Sequence, residues 1–132
     1  MYKRAHIIVA TILLGYISQE AFAFRTTFDL GSYEANKNAE TSEGKKYDGQ
    51  LGSHLEKKHS KTMKMCFDTV KNPNNAGFKI VLLISKDGSV SNLALRPETN
   101  TSLCFSEALR RDTFPVPPKD NFCVQINMGI KE

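Results

Sequence analysis

The 132-residue chain has no Cys-x-x-Cys pair, so thioredoxin-like redox chemistry and cysteine-based metal binding find little support. It has no Gly-rich phosphate loop. No Ser/His/Asp or Cys/His set is framed by the turn geometry that a nucleophile needs. Nor is there a clustered basic face with interleaved aromatics, which nucleic-acid binding requires. After the first two dozen residues no run is apolar enough to span a bilayer. These absences leave no catalytic residue, no cofactor site and no metal site to expect. They point to a non-enzymatic protein.

The N-terminus carries the first positive signal. Lys3 and Arg4 precede the apolar run from Ile7 to Tyr16, and Ser18-Gln19-Glu20 leads into Ala21-Phe22-Ala23. A positive end, a short apolar core and an A-x-A site make a secretory signal peptide over residues 1–23. The other reading is an uncleaved anchor, but the run falls short of the ~20 apolar residues of a span. Cleavage after Ala23 sends the chain to an exported compartment, the periplasm. The mature chain is then one small domain with a tail. Its charge is 18 Lys and Arg less Lys3 and Arg4, against 14 Asp and Glu less Glu20, a net +3 with the signs interspersed.

Residues 24–46 are polar, rich in Asn, Glu, Lys and Ser, and lack sustained periodicity. They read as a flexible tail. The segment 24–30 is apolar enough to dock somewhere. From 47 to 70 a helical stripe appears, with Tyr47, Leu51, Leu55, His59, Met63, Cys66, Phe67 and Val70 at spacings of three and four. Gly49 and Gly52 each weaken its first turns by about 1 kcal/mol relative to Ala, so the firm helix is expected from Ser53. Pro73 and Gly77 end it.

"FKIVLLIS" (78–85) is apolar on both parities, as a central strand would be. Asp87-Gly88 is a hairpin signal, and residues 89–97 make a second, weaker strand. Asp87 taken as a lone catalytic carboxylate is outweighed by its role as a turn residue. "ETNTS" offers helix caps, and a short helix runs on through Leu103, Cys104, Ala108 and Leu109. Asn100-Thr101-Ser102 fits a glycosylation sequon, but its place before the short helix reads as helix capping. Pro115, Pro117 and Pro118 hold the chain extended before a last strand, 122–130, in which Phe122, Val124, Ile126 and Met128 alternate. With a right-handed crossover, the last strand lies beside the first and forms an edge. The expected fold is α+β: a three-stranded antiparallel sheet with two helices on one face, in the order helix-strand-strand-helix-strand. His54 and His59, five residues apart, fall on different faces of the first helix, so joint metal ligation is not expected of them.

"FKIVLLISKDGSVSNLALRP", "SLCFSEALRR" and "FPVPPKDNFCVQINMGI" together resemble the C-terminal domain of the TolA and TonB proteins, over residues 47–130. The TolA form is nearer, because Leu103-Cys104 opens the short helix and Tyr47 opens the first. Two departures stand out. The family pairs the short-helix cysteine with one at the start of the first strand, where this chain has Phe78. TolA and TonB also carry a retained anchor and a long rod. If the resemblance holds, the end of the first helix meets the start of the short one, making Cys66 and Cys104 neighbours and a disulfide, with Cys123 left free. Such a bridge is possible in an exported chain; otherwise all three cysteines are small buried hydrophobes. The resemblance implies a periplasmic protein–protein interaction module. Its partners would be envelope proteins, or the translocation segments of bacteriocins and phage proteins. They would bind at the last strand, Phe122, Cys123, Val124, Gln125, Ile126, Asn127 and Met128. The alternative is a periplasmic immunity or inhibitor protein against a secreted toxin.

Overall fold

A computed structural model describes residues 17–69 and 77–129. The predicted signal segment, residues 1–23, lies outside them except for the backbone of 17–23. The elements run α1 (Ile17–Glu40), α2 (Ser42–Thr69), β1 (Phe78–Ile84), β2 (Val90–Arg96), α3 (Asn100–Arg110) and β3 (Phe122–Met128). No helix among the described residues is long and apolar enough to cross a membrane.

The sheet is antiparallel throughout, in the order β2-β1-β3. The strand apolar on both parities is the central one, and the last strand is an edge. Ile80, Leu82 and Ile84 of β1 and Phe122, Val124 and Ile126 of β3 point to one face. There they pack with Tyr47 and Leu51 of α2 and with Phe105 and Leu109 of α3. The hairpin closes through Gly88, whose φ of +89° suits glycine and whose carbonyl accepts from the Phe114 amide at 2.8 Å. Phe114 thereby enters the core, and the Pro115 carbonyl takes the Tyr47 hydroxyl at 2.7 Å. The proline segment is thus fastened to both the hairpin and α2. Asp87 is a turn residue, its Oδ1 accepting from the Ser89 amide and hydroxyl.

Two expectations need correction. The helix expected from Ser53 begins at Ser42. Thr41 starts it: its Oγ1 accepts from the Gly44 amide at 2.9 Å. Gly49 and Gly52 face open space and are tolerated because Tyr47 and Leu51 beside them are buried. The segment 24–46, expected as a flexible tail, is helical apart from the junction at Thr41. α1 covers the second face of the sheet and packs chiefly along β3. It comes close because its contact positions are small: Ala35 is buried, and a Cβ at Gly31 would stand 2.6 Å from Val81 Cγ1. At its other margin, Arg96 stacks 4.4 Å over Phe28 and pairs with Asp29 at 2.9 Å.

A candidate interaction edge and a histidine–aspartate cluster

The Cys66 and Cys104 sulfurs lie 2.12 Å apart, at disulfide distance, 38 residues apart in sequence. Cys66 is fully buried and sits in the last turn of α2, beside the start of α3. That start is a capping box: Thr99 is the N-cap and Ser102 returns the bond. Thr101 and Ser102 of the sequon are buried in this turn. Cys123 is a free, half-buried thiol. Burial pushes its pKa up, and the Glu34 carboxylate adds to the rise while Lys119 opposes it. It is therefore a poor nucleophile.

The residues expected to bind a partner form β3, which stays in unbroken register with β1 from Phe122 to Met128. Which backbone groups face outward can be read from the ladder. The Ser85 amide donates to the Ser89 carbonyl, so odd positions of β1 face β2. Even positions therefore face β3, and their partners Phe122, Val124, Ile126 and Met128 spend their backbone groups on β1. Cys123, Gln125 and Asn127 turn theirs outward, where no strand lies among the described residues. The Cys123 carbonyl is taken by the Asn38 side-chain amide at 3.0 Å. Above the strand, Ser32 Oγ donates to Gln125 Oε1, and Gln125 Nε2 donates to Asn127 Oδ1.

The opposite edge, β2, is blunted. A bulge interrupts its register opposite Leu83 and Ile84, and the Leu93 amide is occupied by Asn92 Oδ1 at 2.9 Å. Between α1 and the β1–β2 part of the second face runs an apolar groove of about 310 Å³, bordered by Leu30, Gly31, Val81, Leu83 and Ala94.

A second constellation was not expected. His54 and His59 do not diverge: the Nε2 atoms of both reach Asp112 Oδ2, at 2.6 and 2.5 Å. Asp112 lies just beyond the C-cap of α3 and stands between the two rings, so their angular separation on α2 brings them to either side of it. Phe114 lies 5.1 Å from the His54 ring, and Phe105 lies 6.2 Å from the His59 ring. Burial tends to raise the Asp112 pKa, but hydrogen bonds from His59 and His54 outweigh this and hold it below the ordinary carboxylate value. Nothing in the local sequence around Asp112 signals this meeting, because the pairings span 53 and 58 residues.

No family model, curated protein or solved structure matches this chain.

Proposed function

We propose that this protein is an exported, non-enzymatic interaction module resembling the TolA C-terminal domain. It takes up an extended partner segment by strand addition at the outer edge of β3. The observation that supports this reading is the contrast between the two edges. β2 is bulged and self-capped, whereas β3 runs seven residues in register and directs the backbone groups of Gln125 and Asn127 away from the sheet. An open edge of this kind accepts another strand. Each ladder bond is worth only about 1 kcal/mol net, so two outward residues support weak, reversible capture unless side chains add to it. That suits a transient role in the cell envelope, including passage of bacteriocin or phage protein segments.

The test is capture of partners from a periplasmic extract by the immobilised protein, comparing Asn127→Pro with Asn127→Ala. Both variants lose the contact to Gln125; only the proline removes the outward N–H. Capture retained by the alanine variant and lost by the proline variant is the expected result. Equal capture by two folded variants contradicts strand addition. Capture of one cognate toxin alone would instead favour an immunity protein.

A further inference from the structure

We infer that His54, His59 and Asp112 form a binding site for one divalent transition-metal ion of the zinc type. The ligands would be the two imidazole Nε2 atoms and Asp112 Oδ2. This is independent of strand addition at β3.

The first support is convergence. The three donor atoms lie within 4.8 Å of one another, and the His-x4-His spacing falls in the range that zinc sites use. Around an ion with bonds near 2.0 Å, tetrahedral ligands stand about 3.3 Å apart. Binding an ion asks the contacts of 2.5 and 2.6 Å to open to about that distance.

The second support is that the donors are held from behind. Asp112 Oδ1 accepts from the Thr113 amide at 2.7 Å, and the Asp112 amide donates to the Leu109 carbonyl at 3.2 Å. That leaves Oδ2 as the oxygen presented to the imidazoles. The side chains of His54, His59 and Asp112 are only 14, 9 and 18% exposed, with Phe105 and Phe114 against the rings. Flexible surface residues meeting by chance would not be packed in this way.

The third support is the donor set: each imidazole presents its Nε2 to Asp112 Oδ2. Two nitrogens and one carboxylate oxygen select zinc-like ions over calcium and magnesium, which take about six or more oxygens. His54 also borders the cleft beside Ser53, Lys57 and Pro115, which gives a fourth ligand from solvent a route to the ion.

The experiment uses the full chain with its disulfide intact, stripped by chelator and titrated with Zn(II) near neutral pH. Metal analysis after dialysis should find one equivalent bound. Long-range ¹H–¹⁵N spectra should show the Nε2 signals of His54 and His59 both shifting. His54→Gln and Asp112→Asn should each weaken zinc binding by about 100-fold or more. Retention of well under one equivalent overturns the proposal, as does unchanged affinity in both variants. Should a variant not fold, the native spectra decide: Nε2 signals that stay in place, or a shift confined to His6, also overturn it.

Discussion

The Asn38 side-chain amide donates to the Cys123 backbone carbonyl at 3.0 Å, joining the N-terminal helix to the outer edge of the last strand. With Ser32 on Gln125, this bond makes α1 a second layer of the sheet. It also defines the usable edge. One end of β3 is capped by the chain itself, so an incoming strand would begin at Gln125 and continue past Asn127.

The close approach of α1 depends on Gly31. A leucine there must displace Val81 or lift the helix, because even a Cβ would stand 2.6 Å from Val81 Cγ1. Overpacking of this kind costs roughly 1–3 kcal/mol, against about 1 kcal/mol gained by removing glycine from a helix. Gly31→Leu should therefore loosen α1 while β1 remains protected from amide exchange. The Cys123 thiol, freed from cover, should react faster with a thiol reagent. Unchanged Cys123 reactivity would show that α1 does not shield it.

Cys66 and Cys104 close a loop across a separation of 38 residues. In the chain-entropy model such a bridge contributes about 4 kcal/mol, so Cys104→Ser should lower the urea midpoint substantially. The oxidised protein should show one titratable thiol. Peptide mapping without reductant should place it at Cys123, and a linked peptide containing Cys123 would overturn the assignment.

Tyr47 supplies a pH signature. Burial raises its pKa from 10.0 to about 12, and its hydroxyl donates to the Pro115 carbonyl. The folded pKa lies above the unfolded one, so this contribution is fully present below the unfolded value of 10.0 and is lost as pH rises through about 12. Unfolding free energy should fall across that window in the native protein. The fall should be smaller in Tyr47→Phe, which has no phenol to ionise; an identical alkaline profile would contradict the burial argument.

Much of the sheet was legible in the sequence. A strand apolar on both parities had to be central, and the Asp87-Gly88 turn and the alternation from Phe122 to Met128 placed the other two. The features that were hidden share a physical cause. α1 docks through Gly31, Ala35, Ser32 and Asn38, small or polar residues that leave no apolar stripe to read. The first turns of α2 contain glycines that propensity penalises, and their cost is offset by burial of Tyr47 and Leu51, which only the tertiary structure reveals. His54 and His59 diverge on a helical wheel, and only the fold inserts Asp112 between them.

Amide exchange of the protein alone and with a captured partner tests strand addition at β3 most directly. Val124 and Ile126 spend their amides on β1 and should be protected in both states, whereas Gln125 and Asn127 should gain protection only when the partner is bound. Protection appearing instead in the groove at Val81, Leu83 and Ala94, with Gln125 and Asn127 exchanging as before, would rule strand addition out.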